Sequence, residues 1–127
     1  MGQSGGRILI VDDQPELLRM LSLYLARLGY TVSTEPTTER AWARVESEPD
    51  GTDVAVLDAT MPGIAMEELA VRMLRANPLL RVLGASGYPV DMAAVEAAAP
   101  GRVAFLQKPF TPEMLAAAVR RLLGAQK

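Results

Sequence analysis

Four places in the chain carry groups that could act together on one substrate: the acid pair Asp12-Asp13, the single acid Asp58, the hydroxyl of Ser86 and the ammonium of Lys108. Carboxylates gathered in one crevice raise each other's pKa, and the crowding is costly unless a cation joins them. A hard divalent ion with oxygen ligands resolves it. Mg2+ fits, because it is usually held by one or two carboxylates together with waters and a phosphate. The chemistry such a set favours is phosphoryl transfer, in which a carboxylate attacks phosphorus while a metal and a lysine neutralise the spreading charge. Asp58 stands alone and is the candidate nucleophile. Asp12 and Asp13 are then the metal holders, and Ser86 can donate to a phosphoryl oxygen.

Each group also has a plainer reading. Two adjacent acids can cap the helix that follows and oppose its dipole. A lone Asp after an apolar run is commonly a turn residue, Ser86 before Gly87 is turn chemistry, and a surface Lys is commonly only solvated. The functional reading gains its weight from the elements that would bring all four together.

Those elements are legible as alternation. Short β-branched apolar runs at Arg7 to Val11, Thr31 to Glu35, Val54 to Leu57, Arg81 to Gly84 and Val103 to Leu106 are separated by segments of helical period. Leu17, Leu21, Leu25 and Leu28 recur at three and four, as do Ala41 with Val45, and Leu69 with Met73, beside which Leu74 lies. Gly29 predicts a stop for the first helix, Thr37 or Thr38 a start for the second, Asn77-Pro78 an end for the third, and Thr111-Pro112-Glu113 an opening for the fifth. The fourth helix is expected within Val90 to Ala99.

Five strand-helix units predict an α/β fold of the flavodoxin-like kind, a three-layer sandwich around a parallel sheet in the order 2-1-3-4-5. Sites in such folds gather at the carboxyl ends of the strands, and Asp12-Asp13, Asp58, Ser86 and Lys108 follow strands one, three, four and five. The chain of 127 residues, half of them apolar, is expected to form one domain over residues 7–124, with a flexible tail at 1–6 and a short one at 125–127.

Composition removes other classes. There is no cysteine and no histidine, which excludes disulfides, cysteine nucleophiles, serine-histidine hydrolases and histidine-zinc sites. It also excludes the chain as a phosphohistidine donor. With 13 basic against 15 acidic residues and no basic run, direct nucleic-acid binding is not expected. No apolar run reaches the roughly 18 residues of a membrane span, so a cytoplasmic protein without membrane contact is expected.

With these residues in place, the chain closely resembles the receiver domain of two-component response regulators from Arg7 to Leu123. The likeness lies in Ile8-Leu9-Ile10-Val11-Asp12-Asp13, in Val56-Leu57-Asp58-Ala59-Thr60-Met61-Pro62-Gly63, in Ala85-Ser86-Gly87-Tyr88 and in Lys108-Pro109-Phe110. The resemblance implies a signalling module rather than an enzyme, with Asp58 taking a phosphoryl group from a histidine of a partner kinase or phosphotransfer protein. It implies Mg2+ on Asp13, Asp58 and the backbone carbonyl of Thr60, with Asp12 acting through water. It implies that Lys108 pairs with the phosphorylated carboxylate, that the bond to Pro109 is cis, and that Ser86 and Phe105 form a switch toward helix four, strand five and helix five. Phe105 equally suits an ordinary buried strand position.

Two departures stand out. The loop glycine usual in the family after Met-Pro-Gly is absent from Ile64-Ala65-Met66-Glu67. Tyr88, two residues beyond Ser86, brings a bulky ring that could obstruct water and prolong the phosphorylated state. The stretches Ser86-Gly87-Tyr88-Pro89 and Phe105 to Glu113 look most like receivers of hybrid sensor histidine kinases, so the remainder of such a kinase is a possible partner; the other form within the family is a stand-alone regulator. No output domain is expected beyond Lys127, and transcriptional control by this chain itself is not expected. From other classes, a phosphatase of the haloacid dehalogenase type would need a second Asp where Thr60 stands. An interaction module independent of phosphorylation would not need the complete set of acids, hydroxyl and lysine.

Overall fold

Side-chain alternation within the strands decides the layers. In β1 (Arg7–Val11), Ile8 and Ile10 face one side of the sheet and Leu9 and Val11 the other, and all four are buried. β3 (Val54–Asp58) and β4 (Arg81–Ser86) are buried along their whole length, as expected of central parallel strands covered on both faces. β2 (Thr31–Glu35) and β5 (Val103–Gln107) are less buried and form the two edges. The structure, a computed structural model, describes residues 6–124. All neighbouring strands pair in parallel, in the order β2-β1-β3-β4-β5.

Helices α1 (Pro15–Arg27) and α5 (Pro112–Gly124) cover the Ile8/Ile10 face with Leu21, Leu25, Leu115 and Val119. Helices α2 (Thr38–Ser47), α3 (Met66–Ala76) and α4 (Ala93–Ala98) cover the opposite face with Val45, Leu69, Met73 and Val95. Fully burying each such side chain is worth about 1.5–3 kcal/mol, which makes the two cores the main stabilising contribution. The α/β sandwich expected from the sequence is therefore the observed one.

Local chemistry sets the ends. The Thr37 hydroxyl accepts from the Arg40 N–H and starts α2, and the Thr111 hydroxyl accepts from the Met114 N–H where α5 begins. After α1, Gly29 adopts φ 101°, the left-handed conformation that ends a helix. Leu28 is therefore past the helix and 46% exposed, a correction to its expected place on the buried face. Helix α4 is shorter than the expected 90–99 segment: the Asp91 carboxylate accepts from the Ala93 N–H, a turn that keeps residues 90–92 out of the helix. The Gly6 carbonyl accepts from the Thr31 N–H at 2.9 Å, beside the first pair of the β1–β2 ladder. Of the tails expected at 1–6 and 125–127, residues 1–5 and 125–127 lie outside the described residues.

Register brings the chemistry together. Val11 pairs with Leu57, Asp58 with Ala85, and Ser86 with Gln107. Asp12 thus follows β1 directly, Asp58 closes β3, Ser86 closes β4, and Lys108 follows β5.

Candidate functional site

One carboxylate oxygen from each of Asp12, Asp13 and Asp58 lies within 4.8 Å of the other two. Asp12 and Asp58 are buried and Asp13 is exposed, so the cluster opens to solvent on one side. Lys108 reaches in from the β5 end. Its Nζ donates to Asp12 Oδ2 at 3.1 Å and lies 3.4 Å from Asp58 Oδ2. Burial alone pulls the Lys108 pKa down, but the hydrogen bond and charge of Asp12, joined by Asp58, outweigh burial and hold it above its ordinary value.

The remaining oxygens are used locally. Asp12 Oδ1 accepts from the Gln14 N–H at 3.0 Å, so the turn-forming reading of this acid holds alongside the cluster. Asp58 Oδ1 accepts twice from Thr60, from its N–H at 3.0 Å and its hydroxyl at 2.9 Å. The family resemblance implies a role only for the Thr60 carbonyl. A Thr two positions after an Asp is a readable turn signal, and the hydroxyl could have been anticipated from it.

Ser86 lies at the adjacent strand end, fully buried, and its hydroxyl accepts from the Tyr88 N–H at 3.2 Å. The Tyr88 residue is 60% exposed, at the rim of the site. The Lys108–Pro109 bond is cis. Beside it a cleft of about 390 Å3 is lined by Gln14, Leu17, Gly87, Lys108, Pro109 and Phe110. Phe105 is half-buried in β5 and lines a separate groove with Met114 and Leu122 of α5. The structure therefore gathers Asp12, Asp13 and Asp58, pairs Lys108 with Asp12 and Asp58, and leaves Ser86 adjacent and Phe105 farther along the β5 edge.

The absent loop glycine also has a physical counterpart. Met66, within that loop-to-helix stretch, is buried, and its Sδ would lie 3.1 Å from a Cβ placed on Gly84 of β4, as would the Met92 Cε. The Met66 side chain at the start of α3 thus fills space left by the missing side chain of Gly84 in β4.

The donor set suits Mg2+: three carboxylates converge, one partly buried cation already offsets part of their charge, and the open side admits waters and a phosphate. A five-stranded parallel sheet in this order, with acids and a lysine at its carboxyl ends, defines a receiver module of two-component signalling. The chain belongs to the response regulator receiver domain family, whose model matches residues 8–120.

Among its relatives, the DNA-binding transcriptional regulator NtrC of Azospirillum brasilense is 32% identical over 123 residues, 96% of this chain and 25% of that protein. The chain thus spans about a quarter of that relative's length. The CheY-like receiver domain protein from Methanospirillum hungatei JF-1 superposes with a TM-score of 0.84 at 26% identity, covering 97% of each chain. The response regulator protein TrrA from Thermotoga maritima, solved in complex with Mg(2+)-BeF, gives a TM-score of 0.77 at 28% identity, covering 93% of this chain and 99% of that one. Among the described residues, no helix is long and apolar enough to cross a membrane.

Proposed function

We propose that the domain accepts a phosphoryl group on Asp58 from a phosphohistidine of a sensor histidine kinase or histidine phosphotransfer protein, and reports it through its surface. The observation that carries this reading is the convergence of Asp12, Asp13 and Asp58 on one point with Lys108 inserted between two of them. Asp58 Oδ1 is engaged by both Thr60 donors, which leaves Oδ2, on the Lys108 side, as the attacking oxygen. That oxygen forms the new P–O bond as the P–N bond to the partner imidazole breaks, and the imidazole nitrogen keeps the electron pair and takes up a proton.

Mg2+ would be held by Asp13, Asp58 and the Thr60 carbonyl, with Asp12 through water, and would neutralise charge on the phosphoryl oxygens. Its binding in TrrA, a relative of the same fold, supports the assignment. Lys108 supplies a second positive charge on the opposite side, and its raised pKa keeps it charged at neutral pH. Ser86 can turn its hydroxyl from the Tyr88 N–H to a phosphoryl oxygen, with Phe105 following inward along the β5 edge. The reading carries with it a cytoplasmic location. A phosphatase of the haloacid dehalogenase type is disfavoured because Thr60 cannot serve as the second acid-base carboxylate.

The donor is tested by mixing the domain and Mg2+ with an isotopically labelled phosphohistidine phosphotransfer protein. Label passes to the domain, in acid-stable but base-labile form, if the reading holds. Label that stays on the donor while a control receiver is labelled contradicts it.

A further inference from the structure

The loop of residues 59–65 carries the Thr60 carbonyl, and Mg2+ tolerates little error in ligand position. At its near end the loop is tied to the site itself, through the two Thr60 bonds to Asp58 Oδ1. Those bonds are made to the same carboxylate whose other oxygen would react, so they are a poor independent anchor. The Ala59 N–H is fixed to the Ala85 carbonyl at 2.8 Å, which holds the strand end but not the turn beyond it.

The far end is held from a different element. Thr38, the first residue of α2 and only 2% exposed, accepts from the Ile64 N–H at 2.9 Å through its hydroxyl oxygen. Its own proton has two acceptors within reach, Glu39 Oε1 at 3.1 Å and the Pro62 carbonyl at 3.4 Å. Gly63 records how closely the loop is drawn in. Its φ is +98°, and a Cβ there would lie 2.5 Å from both Thr38 Oγ1 and Glu39 Oε2. Thr38 is itself fixed by the capped start of α2, so the hydroxyl is a rigid peg for the loop.

We propose that Thr38 is a positioning residue of the metal site: its buried hydroxyl clasps the Pro62–Ile64 turn and thereby sets the Thr60 carbonyl over the acid cluster. The proposal rests on the reading of that cluster as a Mg2+ site. A merely structural hydroxyl would contribute to stability and leave ligand geometry alone, and the test separates the two.

Mg2+ affinity is measured by calorimetry on wild type, Thr38→Val and Thr38→Ser, with exchange of the Ile64 amide followed in metal-free protein. Residues that orient metal ligands typically cost about 10-fold or more in metal affinity when replaced. Thr38→Val is expected to weaken Mg2+ binding by about that factor and to speed Ile64 exchange, while Thr38→Ser, which keeps the hydroxyl, stays near wild type. Faster Ile64 exchange with unchanged Mg2+ affinity in Thr38→Val overturns the proposal. Should that variant fail to fold, Gly63→Ala, which pushes the turn off α2 from the other side, takes its place, and a wild-type Mg2+ affinity there overturns it equally. Wild type that binds no Mg2+ removes the metal-site reading, and this proposal with it.

Discussion

Lys108 donates from Nζ to Asp12 Oδ2 across 3.1 Å, joining residues 96 positions apart in the chain. The contact shows how the fold tolerates three convergent carboxylates: one cation is built in, and the open side is left for another. Removing the built-in cation should be felt first in metal-free protein. Lys108→Met is predicted to lower unfolding stability by about 1–2 kcal/mol without Mg2+, less than for a fully buried pair because the lysine is partly solvated. Urea unfolding with and without Mg2+ checks this, the deficit shrinking when Mg2+ is added. Equal stability of variant and wild type in metal-free buffer would contradict it.

The same lysine predicts an alkaline signature. Its folded pKa lies above the ordinary value of 10.5, so its stabilising contribution is fully present below that pH and is lost as pH rises through the raised folded value. Wild type should therefore lose stability above about pH 10.5 more steeply than Lys108→Met. Denaturation at several alkaline pH values reads the difference, and parallel curves would rule it out.

Asp13 is the exposed member of the cluster and the one most free to be neutralised. Asp13→Asn should relieve like-charge repulsion and raise metal-free stability by about 0.5–1 kcal/mol. It should also abolish the Mg2+-dependent gain, which for wild type is about 2.7 kcal/mol at a hundredfold excess over the dissociation constant. Thermal melts with a Mg2+ series test both halves; an undiminished Mg2+ effect in the variant would remove Asp13 from the ligand set.

Tyr88 stands at the rim, with its N–H on the Ser86 hydroxyl and a largely exposed ring. If that ring restricts water near a phosphorylated Asp58, Tyr88→Ala should speed loss of phosphate about 5-fold, the equivalent of roughly 1 kcal/mol in barrier. Decay of the phosphorylated protein after donor removal measures it. An unchanged rate would leave the ring without a role in phosphate lifetime.

The sequence carried the sheet and the cluster but not how tightly they join. β1 and β2 match their apolar runs residue for residue, whereas β3, β4 and β5 extend to Asp58, Ser86 and Gln107. Hydrophobic periodicity stops at the last apolar residue, while ladder pairing continues into the polar residues of the site. The acids and lysine were legible because each closes or directly follows a strand whose place in the sheet could be expected. Their bonding was not: that Ser86 turns to Tyr88, or that Thr38 reaches the loop 26 positions later at Ile64, depends on tertiary placement with no local pattern. The Met66–Gly84 complementarity is of the same kind.

The central claim is that Asp58 is the phosphoacceptor, and intact-protein mass spectrometry after incubation with Mg2+ and acetyl phosphate tests it most directly. Wild type is predicted to gain the mass of one phosphoryl group, and Asp58→Asn to gain none. No adduct on wild type, or an adduct that persists in Asp58→Asn, would contradict the account.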